Sequence, residues 1–134
     1  MIWPLFLTML AAHPAYPAVP SGRPISFKPM TDLQVDGWMR WNGFYHSANV
    51  YRCRGLSEPA AERQVAEDLG PAFERRRAAM AAALKAKYGS EYHETNEFLA
   101  FGHVLTPTYC RRIRYVVSDM RRAAAELARR LKVD

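Results

Sequence analysis

From Tyr109 to Leu131 apolar residues return at every third or fourth position, through Ile113, Val116, Met120, Ala123 and Leu127. That spacing puts them on one face of a helix and is incompatible with the two-residue alternation of a half-buried strand. Thr106 and Pro107 supply an N-cap and a proline at the first helical position, where its missing N–H is not needed. The pattern predicts one helix from about 107 to 132, roughly 39 Å long at 1.5 Å per residue.

Three further helices are expected upstream. The first starts at Thr31 or Asp32, either of which can accept backbone N–H bonds, and ends near Cys53. Leu33, Trp41, Phe44, Ala48 and Tyr51 form its apolar face, broadened by Val35, Trp38, Met39 and Tyr45. The aromatic set in this helix reads as core, and Gly37 and Gly43 suggest close approach by another backbone. The second starts at Ser57, with Pro59 in its first turn, and carries Val65, Leu69, Phe73, Met80, Leu84 and Tyr88. Gly70-Pro71 should kink or break it, and Gly89 should stop it. A third, shorter helix is expected from Ser90 through Tyr92, Phe98, Leu99 and Phe101 to Gly102-His103.

The resulting fold class is all-α: a small up-down-up-down four-helix bundle over residues 31–134, preceded by an extended Pro-rich arm. Such a bundle brings Cys53 and Cys110, the only two cysteines among 134 residues, to the same end, where a disulfide can form. Closing a loop of that length stabilises a fold by about 4 kcal/mol in the chain-entropy model. No C-x-x-C spacing is present, which excludes a thioredoxin-like pair, a zinc knuckle and a c-type haem. The short third helix leaves part of the fourth uncovered. That strip is open to the N-terminal arm, a second copy in a homo-oligomer, or a different partner.

Residues 1–22 contain no charged side chain. The apolar run Ile2 to Leu10, followed by Ala11-Ala12, reads as a secretory signal within an N-terminal segment 1–18. It is about half the roughly 20 residues that a transmembrane helix requires, so no membrane anchor is expected. Prolines then mark 19–30 as a linker. A signal and a cysteine pair together suggest a periplasmic or secreted protein. The alternative is an uncleaved apolar arm docked into a cytoplasmic assembly.

The net charge of +6 is concentrated at one end: residues 111–134 hold eight basic and three acidic side chains. Fifteen of the 19 basic residues are Arg, the side chain suited to bidentate contacts with carboxylate or phosphate. Arg111, Arg112, Arg114, Arg121, Arg122, Arg129 and Arg130 are therefore the expected contact residues, for an acidic protein partner or, alternatively, for nucleic acid. They fall in pairs that swing across the polar side rather than in one narrow stripe. His93, Glu94 and Glu97 are the one local cluster with metal-ligand character, His93 and Glu97 lying one turn apart, but no further ligand is specified. No nucleophile elbow or paired carboxylates appear. The reading is a binding or accessory protein, with no cofactor implied and with metal-dependent catalysis around His93 and Glu97 as the weaker alternative.

Overall fold

A computed structural model describes residues 25–92 and 105–134. Helix accounts for 78% of the structure and no strand occurs among the described residues. The class is all-α, with five helices among the described residues. The N-terminal segment 1–24, and most of the expected third helix with His93, Glu94 and Glu97, lie outside the described residues.

Helix α1 is a single rod over residues 32–53. It is α-helical at Asp32–Gly37, π-helical at Trp38–Phe44 and α-helical again at Tyr45–Cys53. Thr31 starts it with a capping box: its hydroxyl accepts the Gln34 N–H, and the Gln34 side chain accepts the Thr31 N–H. The wide central turn buries Trp38, Met39, Trp41, Asn42 and Gly43 together. Residues Tyr45 to Val50 are buried without interruption. Where the sequence predicts one apolar face, α1 is instead the enclosed axis of the molecule. Gly43 does provide for a close approach, but by a side chain: a Cβ there would lie 2.5 Å from Met120 Cγ.

Helix α2, Glu58–Leu69, begins at Ser57, whose hydroxyl accepts the Ala60 N–H. It breaks from α3, Pro71–Tyr88, at Gly70, which has φ +90° and ψ 162°. Only glycine occupies that region without strain, and Pro71 prevents the helix from continuing. Gly89, with φ +57°, ends α3. Ser90 lies in the 3₁₀ turn Gly89–Glu91, and Tyr92 is extended and buried. No helix therefore starts at Ser90, because its backbone is already committed to closing α3.

The single long C-terminal helix is not formed. Helix α4, Pro107–Arg112, and helix α5, Val117–Leu131, are separated by residues 113–116. Ile113 is extended at φ −67°, ψ 144°. The segment Ile-Arg-Tyr-Val is rich in β-branched and aromatic residues that accept extended backbone readily, and other helices hold it there. The Val116 N–H donates to Ser47 Oγ at 3.2 Å. The Tyr115 hydroxyl donates to Asp68 Oδ2 and its ring meets Tyr51 edge-on. Hydrogen bonds from Tyr115 and Tyr51 in turn hold the Asp68 carboxyl below its ordinary range.

Helix α1 packs against α2, α4 and α5, while α3 packs on α5 and α2. Val35, Val65, Met80, Leu84 and Leu127 are fully buried where these helices meet. Small residues Ala123, Ala124 and Ala128 let α5 approach closely. Residues 25–30, the end of the stretch read as a linker, are fixed to this body: Phe27 is buried and meets the Trp38 ring edge at 5.0 Å.

Candidate functional site

Cys53, the last residue of α1, is disulfide-bonded to Cys110 of α4, with their Cα atoms 5.8 Å apart. The bond joins the sequence Arg52-Cys53-Arg54 to Cys110-Arg111-Arg112-Ile113-Arg114. Five arginines thereby lie within four residues of one cystine. Neither residues 45–57 nor residues 105–118 contain an Asp or Glu, so these two segments supply no counter-charge. Arg52 donates to Asn49 Oδ1 at 2.9 Å, Arg54 lies 5.6 Å over the Tyr51 ring, and Arg111 reaches Thr108 Oγ1 at 3.4 Å. Among the described residues none of the five is in an ion pair. Arg54, Arg111, Arg112 and Arg114 are exposed and Arg52 is half-buried.

Under this surface lies a buried polar chain. Tyr109 is the one buried residue of α4, and its oxygen is 2.7 Å from His46 Nδ1 and 2.9 Å from Asn49 Nδ2. These bonds are satisfied when Tyr109 donates to His46 and accepts from Asn49. Asn49 passes the chain on to Arg52, so the arginine head is positioned by the same network that seats α4. Burial pushes the Tyr109 hydroxyl up to about 12, which keeps it protonated and unsuited to act as a base at neutral pH. Both cysteines are in the disulfide, so neither is a nucleophile.

The four arginines of α5 have a different fate from Arg111, Arg112 and Arg114. Arg130 donates to the backbone carbonyls of Phe27 and Met30 at 2.9 and 2.7 Å, and pairs with Glu126 and Asp32. Arg122 donates to the Ile25 carbonyl at 2.9 Å, pairs with Asp119, and lies 5.4 Å over the Phe27 ring. Together they strap residues 25–30 onto α5. Arg121 donates to the Asp68 carbonyl at 2.6 Å, and Arg129 pairs with Glu126 at 2.5 Å. Backbone carbonyls from another segment, together with acids one turn away on α5, engage all four of these heads. Of the expected contact set, three members flank the disulfide and four make hydrogen bonds or ion pairs within the chain, with the Arg129 and Arg122 side chains still 67% and 47% exposed.

The pole also contains Arg52 and Arg54, which the C-terminal charge count passes over. Their signal was an arginine on each side of the first cysteine, matched by the pair following the second. His46 and Asn49 carry the one-turn spacing that puts two polar residues on one side of α1.

A cleft of about 500 Å³ lies elsewhere, lined by Met39, Arg40 and Phe44 of the π-helical segment, Leu69, Phe73 and Met120 among others. Its wall carries the Asp36–Arg40 ion pair at 2.7 Å. Among the described residues no group of three or more His, Cys, Asp or Glu is placed to hold a metal. No family model matches the chain, and neither does any curated protein or solved structure.

Proposed function

We propose that this protein is an exported, disulfide-tied helical binding protein whose arginine-rich pole docks onto an acidic face of a partner protein. The observation that carries the proposal is the five arginines on two acid-free segments that one disulfide brings together. Arginine's planar fork pairs bidentately with carboxylates, and a positive patch attracts an acidic surface over a Debye length. Export is supported by the apolar segment 2–10 and by the cystine, which persists in oxidising compartments such as the periplasm or the extracellular space. No helix among the described residues is long and apolar enough to cross a membrane.

The test is binding of fluorescent poly-glutamate to the full chain at low salt. Replacing Arg111, Arg112 and Arg114 by Gln should weaken it about tenfold, the sum of three exposed charge contacts of roughly 0.2–1 kcal/mol each. Arg129→Gln, remote in sequence and paired with Glu126, should leave it unchanged. Equal affinity in the triple variant refutes the docking surface, and a strong preference for duplex DNA over poly-glutamate replaces the acidic protein by a phosphate polymer. Intact mass of the natively expressed protein tests export: residues up to about 12–18 should be missing, and the mass should be two hydrogens short of the dithiol form.

A further inference from the structure

We infer that the Cys53–Cys110 disulfide is a redox gate on the basic pole: the oxidised protein presents one five-arginine anion-binding surface, and reduction divides it into two weak halves. The inference rests on the docking function proposed above and concerns its regulation.

The five arginines come from chain segments far apart in sequence, the cysteines being separated by 57 positions. Arg52 and Arg54 sit at the end of α1, which is anchored along its whole buried length. Arg111, Arg112 and Arg114 sit on α4 and just beyond it, and α4 is only six residues long. An isolated helix needs about 12–15 residues to be even marginally stable in water, so α4 persists through its attachments. Its attachments to α1 include the disulfide and the Tyr109 hydroxyl with its bonds to His46 and Asn49. At its other end α4 runs into the non-helical residues 113–116, which Asp68 and Ser47 hold through Tyr115 and Val116, rather than directly into α5. Without the sulfur link, Tyr109 is the one buried side chain among the described residues of α4 itself that holds it to α1, and Tyr115 and Val116 tether only its C-terminal end, while α1, α2, α3 and α5 keep their shared core.

The binding consequence follows from effective concentration. While the bond is intact, an acidic partner held by one arginine group meets the second at once, as an intramolecular event. Once α4 frays, the second contact loses that advantage. Both cysteines are half-buried, so a thiolate can reach the bond. The reductant is a dithiol: its thiolate attacks one sulfur and releases the other as a thiolate, giving a mixed disulfide. The second thiol of the reductant then displaces the first cysteine. Two electrons pass to the protein, each cysteine sulfur takes up one proton, and the reductant leaves as its own disulfide.

The test uses the full chain with poly-glutamate as probe, well below the melting midpoint. It compares the oxidised protein, the protein reduced with dithiothreitol, and the Cys53→Ser/Cys110→Ser variant. Far-ultraviolet circular dichroism is recorded on each. Expected are a largely retained helical signal, about tenfold weaker binding in both thiol-free and reduced forms, and recovery when the reduced wild type is re-oxidised. In the oxidised protein, Arg52→Gln/Arg54→Gln and the triple Arg variant should weaken binding by more together than the reduced protein shows for the same changes. Equal affinity in both redox states overturns the gate and leaves the docking surface standing. Loss of the whole helical signal on reduction also overturns it, since the bond is then a staple of the fold. Absence of binding by the oxidised protein overturns the docking surface and the gate with it.

Discussion

Arg129 and Arg130 are neighbours in the chain with opposite roles. The Arg129 side chain is 67% exposed and reaches only back to Glu126, whereas that of Arg130 is 18% exposed and serves three backbone carbonyls besides two acids. Asp32 completes that node. Burial pushes its carboxyl up, but hydrogen bonds from Tyr88, Lys87 and Arg130 outweigh burial and hold it below its ordinary value of 3.8. A carboxylate with a depressed pKa stabilises the fold above that ordinary value, and the contribution is lost as the pH falls through the lower, folded one. Thermal midpoints should therefore drop between pH 5 and pH 3, and Asp32→Asn should flatten that drop while lowering the midpoint at pH 5. Tyr109→Phe should cost about 1–3 kcal/mol in urea unfolding, because His46 and Asn49 both lose a bond in a buried site. Gly43→Ala gains at most about 1 kcal/mol of helix propensity. It drives a Cβ to 2.5 Å from Met120 Cγ, an overpacking cost of about 1–3 kcal/mol. The net effect should be destabilising, and combining it with Met120→Ala should cost less than the two changes summed.

Among the elements, those ended by local chemistry were legible. Thr31, Ser57 and Thr106-Pro107 start helices, and Gly70 and Gly89 end them, through bonds and dihedrals that involve residues a few positions away. Gly70→Ala should accordingly lower stability by about 1–3 kcal/mol, measured by thermal denaturation, since its backbone occupies a region that other residues enter only under strain. The break at 113–116 was not legible. Ile113, Val116 and Met120 continue the helical period without interruption, and what stops the helix is Ser47 on α1 and Asp68 on α2. Ser47→Ala removes the acceptor of the buried Val116 N–H and should cost about 1–3 kcal/mol. The π-helical stretch of α1 was equally hidden, since its seven residues pack against α5 and a periodicity of 3.6 gives no sign of a wider turn.

For the whole molecule, a net charge of +6 says less than its distribution. Acids on α5 and carbonyls of residues 25–30 and of Asp68 engage the α5 arginines, while the disulfide pole keeps its positive charge without a counter-ion in its own segments. Binding of poly-glutamate should for this reason fall by about tenfold between 50 and 200 mM salt, as exposed charges are screened, and isothermal titration across that range measures it.

The amino-acid order alone determined the helical class and most of the caps and stops, because periodicity, capping bonds and turn glycines act within a few residues. Tertiary packing decided which arginines found partners within the chain, where the last helix broke, and that the cystine joined Arg52 and Arg54 to Arg111, Arg112 and Arg114. Those outcomes depend on acceptors and bonds contributed by segments distant along the chain, and no local pattern encodes which distant partner will arrive.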